Sequence, residues 1–325
     1  MNLQSWNRFL TDAFQVVPDV MGATHRFIFD GSAIEVTLPS EERAAPSSKR
    51  DQVASAGPID PTTNKPKYYS VAKVDVAAHL NCSVVLPSQI LNVPPNAFDL
   101  VTDDTKEILK TEIQKHGELA IRAFNHWISI VQWVAADFRI GRGRFNSVQS
   151  GWGTHMQEVG SLKTVWVEGG AFKVPLHSTI TVEHWREIDV KLQAGSTPPI
   201  HTVLRLEAEY FFSLRDFRRS LMDTAIACET FLRSKVLTTI PAGLMPMQLD
   251  QIEKANIAQY VNQLFPEILD VEAGKKYDKI KPELNSLFAK RNDLFHRGNR
   301  EAATAENCLR FLGELRKLFT LVPDK

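Results

Sequence analysis

Apolar positions follow two different rhythms along the chain, and the change comes near residue 195. In the first half, Ile34, Val36 and Leu38 alternate behind an Asp30-Gly31 pair, which predicts a β-hairpin. The segments "YYSVAKVDVAAHLNCSVVL" and "SLKTVWVEGGAFKVPLHSTITVEHW" predict further strands, the second with a Gly-Gly turn. Between them Ile121, Phe124, Trp127, Ile128, Val131, Val134 and Phe138 recur at helical spacing. They predict a helix over about 103–138, with Asp103 or Asp104 capping its start. Residues 40–68 collect Pro, Ser, Thr, Lys and Asp and predict a long flexible loop.

"GSTPP" at 195–199 interrupts the pattern, and beyond it the chain reads as helices. The first spans about 200–237, bent near Ser213, with Leu214, Phe217, Leu221, Ala225, Cys228, Leu232 and Val236 on its apolar stripe. A second covers about 249–264 and a third about 276–296. The fourth, about 300–320, carries Ala305, Cys308, Leu309, Leu312, Leu315 and Phe319. Amphipathic helices of this length are marginal alone in water, so they are expected to bundle. The fold class is therefore α+β: a mixed α/β domain over 1–195 with the flexible 40–68 loop, then an all-α helical bundle over 200–325.

Composition narrows the function. The 325 residues are 43% hydrophobic and carry 38 basic against 38 acidic side chains. That balance argues against coating nucleic acid through bulk charge and leaves room for a local basic site. The three cysteines, Cys82, Cys228 and Cys308, are far apart and form no CxxC or Cys/His cluster. Reduced, buried thiols are expected, with no metal and no cofactor. The amino terminus lacks the basic region and apolar run of a signal peptide, and no apolar stretch nears the roughly 20 residues of a membrane span. A soluble, cytoplasmic protein without membrane contact is the expectation.

One residue breaks the helical pattern. On the third C-terminal helix Leu284, Leu287, Phe288, Leu294 and Phe295 form one arc, and Arg291 falls near its centre. A guanidinium on an apolar face needs a partner, and Glu229, at the edge of the first helix's stripe, is one candidate. His296 closes the same helix, since Gly298 suits a C-terminal cap and Asn299 can begin the next helix. Arginine offers a fixed cationic fork for phosphate oxygens, and histidine exchanges protons near neutral pH. Together they suffice to cleave RNA, whose ribose 2′-hydroxyl supplies the nucleophile.

In this context Arg291, Asn292 and His296 resemble the Arg-x(4–6)-His motif of the HEPN superfamily, especially its Apea-like and abortive-infection branches. "DFRRSLMDTAIACETFL" resembles the family's first core helix, ending in an acidic residue at Glu229. "HRGNREAATAENCLRFLGELRKLF" is similar to its Gly turn and last helix. The resemblance covers about 200–325 and leaves the amino-terminal domain unassigned. It implies a HEPN-like bundle acting as a metal-independent endoribonuclease of a microbial defence or toxin system. The homodimer would line one cleft with both motifs. His296 would be general acid or base, Arg291 the phosphate stabiliser, Asn292 an orienting group and Glu229 the support for Arg291. The alternative it leaves open is a non-catalytic module that binds RNA or a partner such as an antitoxin or sensor protein.

Two further basic groups stand out. Arg139, Arg142 and Arg144 in "FRIGRGRFNSVQSGWGT" could grip RNA phosphates, with Phe145 or Trp152 stacking on a base, or could be an exposed connection. Arg215, Arg218 and Arg219 either rim an RNA cleft or form a solvated helical face. Trp127 and Trp133 read as core, and His177, His184 and His201 are too scattered for a metal site.

Overall fold

The computed structural model of the chain describes residues 3–44, 54–80, 103–141, 154–157, 164–168, 178–239 and 246–322. Its contacts divide the chain into Met1–Thr197 and Pro198–Lys325. The architecture is α+β, with strands dominating the first unit and helices the second.

The first unit is built on a curled sheet in the order β2-β3-β5-β1-β8, with β4 also paired to β5. Its strands are β1 (Leu3–Val16), β2 (Thr24–Phe29), β3 (Ser32–Thr37), β4 (Ala54–Ala56), β5 (Tyr69–Leu80) and β8 (Thr179–Ile180). β6 (Thr154–Gln157) and β7 (Thr164–Glu168) pair separately. The β2–β3 hairpin turns at Asp30 and Gly31, whose φ values of 49° and 75° give the two left-handed positions of a type I′ turn.

The sequence pattern did not announce β1. Its register against β5 shifts between Leu10 and Phe14, so the extra residues break the two-residue alternation that would mark a strand. The flexible loop expected over 40–68 is also corrected in part. β4 pairs with β5, Gly57 and Lys67 donate to Tyr68 and Pro58 carbonyls, and the Asp60 carboxylate accepts from Thr62 to close the turn. Residues 45–53 lie outside the described part.

Helix α1 (Asp103–Ala135) stops three residues short of the expected end, where Ala136 turns to φ 50°. The second segment read as strand holds β7 and β8, but its last four residues already begin a helix, α2 (Val182–Gln193). Thr181 starts it by accepting from the His184 N–H, and the His184 ring faces the Thr181 N–H in return. Both helices pack against the sheet, burying Phe14, Val36 and Val76 with Trp127, Val131 and Ile188.

The second unit holds α3 (Ile200–Ser213), α4 (Phe217–Thr239), α5 (Pro246–Glu253), α6 (Ile257–Gln259), α7 (Phe265–Glu267), α8 (Val271–Arg297) and α9 (Ala305–Leu321). A π-helical turn, Tyr260–Leu264, joins α6 to α7. The helix expected over 200–237 is two helices rather than one bent helix. Arg215 adopts φ 61° and Asp216 donates its N–H to the Phe211 carbonyl, so the chain reverses and α4 packs along α3. The last helix begins at Ala305, capped by Thr304, because Asn299 starts a short 3-10 turn instead.

The bundle core joins Leu221, Cys228 and Phe231 of α4 to Tyr277, Leu284 and Leu287 of α8 and Phe311 and Leu315 of α9. Each such fully buried side chain contributes roughly 1.5–3 kcal/mol. Cys228 and Cys308 are free thiols in this core, and burial pushes the Cys308 thiol up to about 11. Cys82 lies outside the described residues.

Candidate functional site at the end of α8

Asp270 caps the start of α8 by accepting from the Ala273 N–H at 2.8 Å. At the other end Gly298 takes φ 65°, and the Gly298 and Asn299 N–H groups both return to the Asp293 carbonyl. This left-handed cap stops the helix just beyond His296. The last two turns of α8 extend past the tight core: Leu284 and Leu287 are 1% exposed, whereas Phe295 on the same arc is 67% exposed.

The expected motif sits on these turns. Arg291 is half-buried, and its Nη1 donates to Asn292 Oδ1 at 3.1 Å. Asn292 and His296 are both exposed and stand four residues apart, so they share one helical face. From Cα directions alone, Arg291 and His296 diverge by about 140° around the helix. The bond links the guanidinium to Asn292, which shares its face with His296. A fixed cation tied to Asn292 and an exposed proton carrier are thereby both carried by the last two turns of α8.

Glu229 does not join them. The ion pair expected between Glu229 and Arg291 is replaced by one to Arg233, a turn further along α4, at 3.0 Å. Arg233 also donates to the Glu253 and Ala255 carbonyls and lies 4.5 Å over the Tyr260 ring. It offers Glu229 a partner at i,i+4 spacing on its own helix, closer to hand than Arg291.

Beside the motif, an open groove of about 710 Å³ runs between the start of α4 and the end of α8. Among the described residues α4 lines it with Arg218, Arg219 and Met222, and α8 with Leu294, Phe295 and Gly298. Arg218 is exposed, and the Arg219 guanidinium lies 3.9 Å over the Phe211 ring. Asp216 also borders the groove, and its carboxylate accepts from the Arg219 N–H at 3.1 Å, capping α4. Below it the Asp223 carboxyl is raised above its ordinary range by burial and by the charges of Glu207 and Asp216, against the pull of Arg219. The Phe295 and His296 rings meet edge to face with centroids 5.2 Å apart, which links groove and motif.

No family model, curated protein or solved structure matches the chain. The site therefore rests on its own geometry.

The other expected RNA contacts fare differently. Arg139 is not a loose phosphate grip, because Asp137 takes its Nε and Nη2 at 2.8 Å each. Burial alone would raise the Asp137 carboxyl. The hydrogen bonds from Arg139 and Ser178 overturn that and hold it below the ordinary carboxylate range. Arg142 and Arg144, with Phe145 and Trp152, lie outside the described residues, as does His177. Trp127 is fully buried, and Trp133 is covered by the Lys191 ammonium 3.8 Å from its ring centroid. Among the described residues no group of three or more His, Cys, Asp or Glu side chains could hold a metal ion. No described helix is long and apolar enough to cross a membrane.

Phe295 is the functional candidate that pattern reading missed. Helical spacing assigns it to the core, but it lines the open groove beside the start of α4 instead. A buried cluster was missed as well: Glu209 of α3 accepts at one oxygen from Arg205 at 2.8 Å and from Arg316 of α9 at 3.0 Å. It ties α3 to α9, and Arg316 lies too far along the chain from Arg205 and Glu209 to read as one group with them.

Proposed function

We propose that the C-terminal unit is a HEPN-like, metal-independent endoribonuclease acting in the cytoplasm as part of a microbial defence or toxin system. The supporting observation is the Arg291–Asn292 hydrogen bond, which links a guanidinium to the residue that shares the exposed face of His296. In the reaction the ribose 2′-oxygen attacks phosphorus and the bond to the 5′-oxygen breaks. The 2′-hydroxyl proton leaves to a base, and the departing 5′-oxygen receives a proton, leaving a 2′,3′-cyclic phosphate. His296 serves one of these transfers, and a second His296 from a homodimer partner serves the other. Arg291 stabilises the charge that gathers on the phosphoryl oxygens in the transition state. Asn292 holds the guanidinium in place.

The test uses purified full chain, total RNA and EDTA, beside an Arg291→Ala/His296→Ala double variant. Cleavage by the unaltered chain alone, leaving 2′,3′-cyclic phosphate ends, is the expected result. Equal inactivity of both proteins at every oligomeric state would reject the nuclease. A second reading then takes its place: a non-catalytic module binding RNA, an antitoxin or a sensor protein. One observation favours that reading, namely that Glu229 is engaged with Arg233, so that Arg291 is oriented by a neutral amide.

A further inference from the structure

The groove between α4 and α8 combines three properties that the motif itself does not require. Phe295 presents its ring to solvent, 67% exposed, where most large apolar side chains of the unit are buried. Arg218 is exposed and makes no hydrogen bond or ion pair among the described residues. Asp216, the one carboxylate among the described lining residues, already accepts from the Arg219 N–H. The surface is thus a flat aromatic face and two guanidiniums above an apolar floor of Met222 and Leu294.

These properties select among occupants. A second copy related by a two-fold axis would set the same patch against itself. That brings cations to cations, with the patch's carboxylate committed to a helix cap. An apolar peptide would cover Phe295 and leave Arg218 without a counter-charge. A duplex keeps its bases stacked inside and offers no free ring face. A single strand meets every demand, since unstacked bases lie on aromatic rings while phosphates follow arginines.

We infer that this groove is a subsite for single-stranded RNA, in which Phe295 stacks on a base beside the scissile linkage and Arg218 grips a phosphate further along the strand. The inference rests on the ribonuclease reading, because the edge-to-face contact of Phe295 with His296 sets the stacked base next to the reacting atoms. Arg219, held over Phe211, supports the same strand from the far wall.

The experiment measures anisotropy of a fluorescein-labelled ten-nucleotide RNA, single-stranded or as a duplex, on the full chain carrying His296→Ala to prevent turnover. Phe295→Ala is expected to weaken single-strand binding about tenfold, and Phe295→Trp to restore it. Arg218→Ala is expected to lower the salt dependence by roughly 0.7 in slope, one phosphate contact. Phe295 is exposed, so circular dichroism of these variants should match the parent. Unchanged single-strand affinity in Phe295→Ala overturns the subsite, as does equal or tighter binding of the duplex. Loss of a dimer in Phe295→Ala without loss of RNA affinity also overturns it, and assigns the groove to a second copy. Cleavage assays on the same substitutions with His296 intact keep the two ideas apart. Weakened binding in Phe295→Ala without any cleavage by the unaltered chain sustains the subsite and removes the nuclease. Cleavage that needs His296 and ignores Phe295 does the reverse.

Discussion

Arg291 donates from Nη1 to Oδ1 of Asn292, its neighbour in sequence, across 3.1 Å. Adjacent residues on a helix point about 100° apart, so this contact requires the two side chains to lean toward each other around the helix. The bond sets the direction of the guanidinium and makes Asn292 a positioning residue. Asn292→Ala should lower the RNA cleavage rate about tenfold with little change in KM. Asn292→Asp, which keeps the acceptor, should retain most of the rate. His296→Ala should cost about 10²–10⁴-fold, the usual contribution of a positioned acid or base. Equal rates for Asn292→Ala and the parent would remove Asn292 from the site.

Glu229 and Arg233 should separate in their effects. Glu229→Gln leaves Arg291 and Asn292 untouched, so RNA cleavage should stay within about twofold of the parent, given the 3.0 Å pairing with Arg233. Arg233→Ala removes two guanidinium-to-carbonyl bonds and the stack on Tyr260. Because the guanidinium is half-exposed, a loss of about 1–2 kcal/mol is expected in urea unfolding. A large catalytic defect in Glu229→Gln would restore the original assignment of Glu229 to the active site.

The Arg205–Glu209–Arg316 cluster should behave as a buried ion network. Glu209→Gln leaves the Arg205 guanidinium, only 11% exposed, with a weaker acceptor. A destabilisation of about 3 kcal/mol is expected, near the lower end for breaking a buried pair from one side. Arg316, more than half exposed, should cost under about 1 kcal/mol when replaced by Ala. Thermal unfolding of the two variants measures both.

His25 makes the first unit sensitive to acid. Trp127 Nε1 donates to His25 Nδ1 at 3.0 Å, and His25 Nε2 donates to the Trp185 carbonyl at 3.0 Å, which holds the ring neutral. Burial lowers its pKa to about 4, against the smaller opposing effects of the Trp185 carbonyl and Asp189. The folded value lies below the unfolded value of 6.5, so the unfolded chain takes up the proton first. The contribution is complete above pH 6.5 and is lost as pH falls from there toward 4. Between pH 7.5 and 5 that amounts to about 2 kcal/mol. Urea unfolding of the first unit's tryptophan signal should show the loss, and His25→Gln should flatten it. Asp137, held below its ordinary range, adds a loss in the same direction at lower pH.

Local sequence determined much of this protein. Two-residue alternation and Asp30-Gly31 specify the β2–β3 hairpin, since both turn positions need left-handed backbone. Helical spacing specifies α1, α8 and α9 within about five residues at either end, and Gly298 specifies where α8 stops, as the one residue there free of a Cβ penalty. The order Arg291, Asn292, His296 specifies which chemical groups the end of α8 carries. Tertiary structure decided the rest. Whether Phe295 is core or surface depends on what packs beside the end of α8, where an open groove faces the start of α4, and no period encodes that. Which cation Glu229 takes depends on the reach of every arginine around it, and Arg233 is nearer than Arg291. The groove exists only because Arg215 reverses the chain and lays the start of α4 beside the end of α8. Periodicity is a property of neighbours along the chain; exposure, partner choice and cavities belong to residues brought together from far apart.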